Sequence, residues 1–248
     1  MRIIITGAAG HMGRAVAEAA KSHGVDVACR FDPHAAEDGI VNDWAQVPAG
    51  CADALIDFSH PSALPGILAY CARSPLPLVL ATTGYGEEEL AGIAEAAKST
   101  PVFRSANMSV GIALLRRLAK ETAEALGEDF DIEIVEAHHN RKKDAPSGTA
   151  LMLYEAVKNA GMENREAVCG RSGRDCARQK REVGLHAVRG GTVTGEHQVL
   201  FLGPMERITL SHSAENRAVF AEGALRAAAY LQGRQPGLYS MDDLVNGL

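Results

Sequence analysis

Through its first hundred residues the chain alternates short, nearly continuous apolar runs with stretches whose apolar positions repeat at helical spacing. The runs "RIIIT" (2–6), "VDVACRF" (25–31), "ADALIDF" (52–58), "PLVLATT" (77–83) and "PVFRSA" (101–106) read as strands. The stretches 12–24, 62–74 and 86–99 between them read as helices. Strands apolar on both sides suit a parallel sheet covered on both faces, so this half predicts a doubly wound, Rossmann-like α/β domain. From about Ser109 the pattern changes. "SVGIALLRRLAKETAEAL" predicts one long helix with Val110, Leu114, Leu118 and Ala125 as its apolar stripe and Gly127 as its stop. "FDIEIVEAHH" predicts a strand, and "TALMLYEAVKNAG" a helix with Ala150, Leu153, Tyr154 and Val157 on one face. Three strands follow, "EVGLHAVRG", "GEHQVLFLG" and "ERITLSHSA", with no helix between them. They predict a smaller α+β unit with a mixed or largely antiparallel sheet. A last helix (218–233) precedes the tail "PGLYSMDDLVNGL".

Composition changes this picture little. At 248 residues, 46% apolar and 23% charged, the chain has room for one large domain or two small ones. A net charge of -6 argues against a protein that coats nucleic acid or an anionic membrane. The three isoleucines before Gly7 are too short for a leader core, and no stretch reaches the ~20 apolar residues of a membrane span. Five scattered cysteines without a CxxC spacing point to a reduced, cytoplasmic protein.

Candidate chemistry lies in two segments. "IIITGAAGHMGRAV" sets Gly7, Gly10 and Gly13 between the first strand and first helix, with Ala9 where the dinucleotide fingerprint has its second glycine. A tight turn, a small residue beside a pyrophosphate and close helix–strand packing are what these positions supply, and the helix N-terminus favours the phosphates. Asp32, nineteen residues after Gly13, follows the second strand, where a ribose hydroxyl needs an acceptor. The second segment, "EAHHNRKKDAPSGTA" (136–150), gathers two histidines, three basic residues and a helix start. Taken singly its pieces are ordinary: a strand-end histidine, a solvated turn, and a helix cap at Asp144 or Ser147 with Pro146 in the first turn. Together they form an anion pocket. Alternation sends His138 and His139 to opposite faces, Gly148 lets a ligand approach the helix N-terminus, and Lys142 brings mobile charge. Such a pocket suits a small carboxylate with a proton donor beside it. Metal binding fits poorly, because adjacent strand histidines diverge and no third ligand follows.

These residues carry a resemblance. "EAHHNRKKDAPSGTA" looks like the signature of the dihydrodipicolinate (4-hydroxy-tetrahydrodipicolinate) reductases of lysine biosynthesis through diaminopimelate. The likeness extends through "GAAGHMGR", "DFSHP", "ATTG", "SANMSVGI", "GEH" and "GLYSMDDL", essentially the whole chain. It implies a NAD(P)H-dependent reduction of a cyclic dicarboxylate with loss of water. His138 matches the family's proton donor/acceptor and Lys142 its second proton donor. His139, Ser147, Gly148 and Thr149 match the substrate-binding set. On the cofactor side, Gly7, Ala8, Ala9, Gly10, His11, Met12 and Gly13 match the pyrophosphate loop and Asp32 the ribose acid. Ala81, Thr82, Thr83 and Ser105, Ala106, Asn107, Met108 match two loops around the nicotinamide half. The resemblance also implies a discontinuous dinucleotide domain (1–108 and 217–248), a substrate domain (109–216) and a homotetramer. Members that use NADPH well carry arginines where this chain has His11 and Pro33, so a preference for NADH is expected. The rival class is a non-catalytic sensor of dinucleotide or dicarboxylate on the same fold. His138 with Lys142 speaks against it, since a sensor needs no proton donor.

Overall fold

A computed structural model describes residues 1–247; Leu248, the last residue of the tail, lies outside the described residues. The chain divides into two compact units, Met1–Val110 with the segment from Arg217 onward, and Gly111–Asn216.

The first unit is built on a six-stranded parallel sheet. Its strands are β1 (Arg2–Thr6), β2 (Asp26–Phe31), β3 (Ala54–Asp57), β4 (Leu78–Leu80), β5 (Pro101–Arg104) and β11 (Gly237–Tyr239), in the order β11-β5-β4-β3-β1-β2. Ile3, Ile4 and Ile5 are fully buried, as expected of a strand covered on both faces. The covering helices are α1 (His11–Ser22), α2 (Leu64–Arg73), α3 (Glu87–Ala96) and α6 (Ala218–Leu231), followed by the short α7 (Met241–Asn246). The buried small residues of α6 allow a close approach: a side chain on Gly223 would strike the Met108 carbonyl. Phe31, Trp44 and Tyr70 stack in series and hold the segment after β2 onto α2.

Several strands are shorter than the apolar runs that predict them, for a common reason. β4 ends at Leu80 and β5 at Arg104; one further inter-strand bond follows each, from the Ala81 N–H to the Asp57 carbonyl and from the Ser105 N–H to the Leu80 carbonyl, and the chain then turns away. The Ser105 hydroxyl, for instance, donates to the Asn107 carbonyl at 2.7 Å and turns the chain. Residues 81–83 and 105–108 therefore lie in loops at the carboxyl edge of the sheet. The tail returns to the same sheet as β11 beside β5.

The second unit carries a mixed five-stranded sheet in the order β10-β9-β6-β8-β7. Its strands are β6 (Asp131–His138), β7 (Glu166–Cys169), β8 (Glu182–Arg189), β9 (Gly195–Leu202) and β10 (Arg207–Ala214). β6 pairs antiparallel with β9 and parallel with β8. α4 (Val110–Leu126) and α5 (Gly148–Val157) cover one face through Ile112, Leu115, Leu153 and Val157 against Ile132, Ile134, Val199 and Phe201. The stripe expected for α4 is corrected. Ile112, Leu115, Ala119 and Ala123 face the core, whereas Leu114 and Leu118 are more than a third exposed. The helix has apolar residues on two sides, and the sheet selects one of them. Gly127 does stop it, with φ +59°. Its carbonyl accepts from the buried Arg165 guanidinium at 2.9 Å, which also donates to the Val157 carbonyl at the end of α5 and to the Ala160 carbonyl just past it, so one cation satisfies two helix ends. On the other face, Glu133 accepts from Arg171, Arg178 and His186, pinning the segment after β7 to the sheet. Its carboxylate occupies the space that a side chain at Gly184 would need.

Candidate functional site

In the first unit the parallel strands bring every expected cofactor residue to one edge. Gly7 adopts φ +72°, and a Cβ there would lie 2.5 Å from the Phe58 carbonyl oxygen. A Cβ on Gly13 would lie 2.3 Å from the Gly7 oxygen and 2.6 Å from the Ala8 Cα. Loop and helix thus meet at a distance only glycine permits, and the first turn of α1, starting at His11 and Met12, presents N–H groups without intrahelical acceptors. Asp32 closes the loop: its carboxylate accepts from the Ala9 N–H at 3.2 Å and the His34 N–H at 3.1 Å. Arg14 donates to the Ala9 carbonyl at 3.0 Å and pairs with Glu37 at 2.5 Å. Ala81 and Thr82 are buried and Thr83 is exposed at the end of β4; Met108 is buried and Ser105, Ala106 and Asn107 lie beyond β5. This backbone cradle fits a dinucleotide. Among the described residues, no group of three or more His, Cys, Asp or Glu side chains could hold a metal ion.

In the second unit the site grows from the end of β6. Its inward positions Ile132, Ile134, Glu136 and His138 are all buried. A carboxylate in such a place needs compensation. Glu136 accepts from the Arg189 guanidinium through both oxygens, each at 2.7 Å, and from the Ser147 N–H at 3.0 Å. His138 Nδ1 lies 2.6 Å from Glu136 Oε2. Burial alone would raise the Glu136 carboxyl; the bonds from Arg189, His138 and Ser147 outweigh it and hold it below the usual carboxylate range. The strand ends at His138, so alternation does not govern His139, whose carbonyl accepts the Lys142 N–H in the following turn.

Ser147, rather than Asp144, caps α5: its side chain accepts from the Ala150 N–H at 3.2 Å, and Pro146 precedes the cap. With its N–H on Glu136 and its hydroxyl also 3.2 Å from His197 Nε2, the buried Ser147 is tied into the scaffold. Gly148 is exposed, and a Cβ there would meet nothing within 4 Å, so the helix start is open at Gly148. Lys142 pairs with Asp144 at 3.0 Å, and its side chain is 21% exposed. These residues form a continuous rim from β6 to α5.

Three members of this rim carry no role in the sequence reading, although each stands in a stretch quoted there: Glu136 in "EAHH", Arg189 in "EVGLHAVRG" and His197 in "GEH". The His197 ring stands edge-on to His138, centroids 5.2 Å apart, and its Nδ1 is buried without a hydrogen-bond partner. Burial first, and then the neighbouring His138, push His197 down to about 4, opposed by Glu136, so its ring is neutral at physiological pH.

Sequence comparisons give the family. Residues 1–108 match the family model "Dihydrodipicolinate reductase, N-terminus", and residues 111–245 match "Dihydrodipicolinate reductase, C-terminus". The chain belongs to the dihydrodipicolinate reductase family. It is 50% identical to the 4-hydroxy-tetrahydrodipicolinate reductase of Caldanaerobacter subterraneus subsp. tengcongensis, over 99% of this chain and 98% of that protein. It is 42% identical to the enzyme of the same name from Clostridium tetani, over 99% and 97%. Among solved structures, the dipicolinate-bound dihydrodipicolinate reductase of Paenisporosarcina sp. TG-14 shares the fold with a TM-score of 0.79 at 21% identity, covering 100% of this chain and 99% of that one.

Proposed function

We propose that this chain reduces 4-hydroxy-tetrahydrodipicolinate to tetrahydrodipicolinate with NAD(P)H, NADH being preferred, in the diaminopimelate route to lysine. In the net change a ring hydroxyl gives way to hydrogen: one hydride and one proton enter, and one water leaves. The nicotinamide supplies the hydride when bound. Holding two carboxylates and delivering the proton fall to the chain itself.

The observation that carries this reading is the rim from His138 to Thr149, where a buried histidine on an ionised partner adjoins an uncovered helix N-terminus. His138 gives the proton. Lys142 neutralises a substrate carboxylate and acts as the second donor, its ion pair with Asp144 keeping the ammonium near the rim. The N–H groups of Gly148 and Thr149 receive a carboxylate and His139 is a further substrate contact, while Ser147 builds the helix start on which those N–H groups depend. The residues 7–13 hold the pyrophosphate, Asp32 holds the ribose, and the loops 81–83 and 105–108 border the nicotinamide. NADH preference rests on charge. A 2′-phosphate would add charge beside Asp32; of the two arginines close in sequence, Arg14 and Arg30, Arg14 is already matched by Glu37. We place the enzyme in the cytoplasm as a homotetramer formed through the second unit.

The test follows dinucleotide oxidation at 340 nm, with substrate generated in situ from pyruvate and aspartate semialdehyde. His138→Gln and Lys142→Ala each lower kcat by about 10²-fold or more while dinucleotide binding persists, and kcat/KM is higher with NADH than with NADPH. Dinucleotide binding without turnover in the unaltered protein would favour the sensor; a clear advantage for NADPH would overturn the cofactor assignment.

A further inference from the structure

Glu136 is more fully enclosed than any catalytic group near it: its side chain has no exposure, against 11% for His138 and 21% for Lys142. It touches no open surface, yet it binds His138 directly. Building on the reading of His138 as proton donor, we infer that Glu136, steadied by Arg189, is a positioning residue that fixes the protonation pattern of the His138 ring. The ionised carboxylate has only acceptors to offer. The 2.6 Å contact therefore places a proton on Nδ1 in both the charged and the neutral ring, and leaves Nε2 as the atom that gives its proton to the substrate and regains it from solvent.

The far side of the ring is prepared for this. A Cβ on Gly195 would stand 3.1 Å from His138 Nε2, so the absence of a side chain there keeps that nitrogen uncovered. Other charges are disposed consistently. From β8, Arg189 binds both Glu136 oxygens, so the carboxylate cannot swing away from the ring. From β9, His197 is neutral, and from β10 His212 is also pushed down by burial, so neither adds positive charge opposing a protonated His138. In the loop after β6, Lys142 is balanced by Asp144.

The network also dictates how a neutral isostere would fail. In Glu136→Gln the amide NH₂ takes one of two places. In the place of Oε1 it faces two donors, the Ser147 N–H and an Arg189 nitrogen. In the place of Oε2 it faces one, the other Arg189 nitrogen, together with His138 Nδ1. The second placement has the fewer conflicts, and it removes them at His138 if the ring moves its proton from Nδ1 to Nε2. A residue that merely filled space would leave the tautomer alone.

Long-range ¹H–¹⁵N correlation spectra of the full-length ¹⁵N-labelled protein, at a pH where the ring is neutral, read this directly. His138 is assigned by the resonances missing from His138→Gln. The unaltered protein is expected to show the proton on Nδ1, and a ring protonated on Nε2 would overturn the inference without any variant being needed. Glu136→Gln is expected to show the Nε2 tautomer, a kcat lower by about 10²-fold, and a dinucleotide KM changed less than twofold. Glu136→Asp, which keeps the charge, should retain the Nδ1 proton and recover part of kcat. If Glu136→Gln keeps both the tautomer and the rate, Glu136 is structural only. Should the Gln variant not fold, the unaltered protein and the Asp variant still decide. Full activity in His138→Gln would instead remove the donor role of His138, a separate failure that the spectra of the unaltered protein tell apart.

Discussion

The glycine loop after β1 and the rim after β6 both place a helix N-terminus beside the residues read as functional, yet they are made of opposite materials. In the first, side chains are kept out: Gly7 and Gly13 lie so close to backbone that no Cβ fits. In the second, side chains are forced in: a buried carboxylate, a guanidinium and two imidazoles are stacked behind the open turn. A cradle for a pyrophosphate needs only N–H groups and room, which backbone provides. A proton donor needs a titratable ring in a fixed orientation, and in a buried place that requires compensating charge. The first region is therefore sensitive to volume and the second to charge.

The largest effect expected from this contrast comes from two arginines. Arg189→Met strips two charge-assisted bonds from the buried Glu136 and should destabilise the protein by about 3–5 kcal/mol, lowering Tm by about 10 °C in a chain of this size. Arg14→Met breaks an ion pair whose side chains are about half exposed, and should cost less than about 1 kcal/mol. Thermal unfolding of the two variants side by side checks this; equal shifts would erase the distinction between the regions.

A second effect is confined to the rim. His197 is held at about 4 in the folded protein, against 6.5 when exposed. Between these values the unfolded chain binds a proton that the folded one refuses, so stability rises with pH across that window and falls as the solution is acidified. From pH 7.5 to pH 5 the loss from this one group is about 2 kcal/mol. Glu136, whose folded value is depressed, loses its contribution only at lower pH, as the solution falls through that value. Urea unfolding of the unaltered protein and of His197→Gln at both pH values separates the two, because the variant should lose most of the difference.

The contrast also explains what could be read from the sequence. The glycine loop was legible because its logic is local: three glycines, a strand before and a helix after lie within fourteen residues. His138, Lys142 and the helix start were legible for the same reason. Arg189 and His197 were not, since they arrive through the pairing of β6 with β8 and β9, 53 residues away in the case of Arg189. Glu136 stood in plain view within "EAHH", but only burial distinguishes an ion-pair hub from a surface acid. The strand β7 is not legible in the sequence, because an exposed edge strand of four residues has no apolar run to announce it. The α4 stripe differs because periodicity finds apolar faces without saying which one the sheet covers.

The most discriminating comparison, which ends on the smallest expected shift, sets one glycine from each region against the other. Gly13→Ala places a methyl carbon 2.3 Å from a backbone oxygen and 2.6 Å from a Cα, neither of which can rotate away. The loop must shift, at about 1–3 kcal/mol, and dinucleotide affinity should fall more than tenfold. At Gly148 the added methyl meets open space in the first helical position, where alanine is the better helix former, so stability should rise by about 0.5 kcal/mol. Substrate KM should nevertheless rise severalfold with kcat nearly unchanged, because the methyl stands where a carboxylate approaches the α5 N–H groups. Chemical denaturation and steady-state kinetics of both variants give all four quantities. If Gly148→Ala leaves KM untouched, the carboxylate is held elsewhere on the rim, and Lys142 becomes its principal partner.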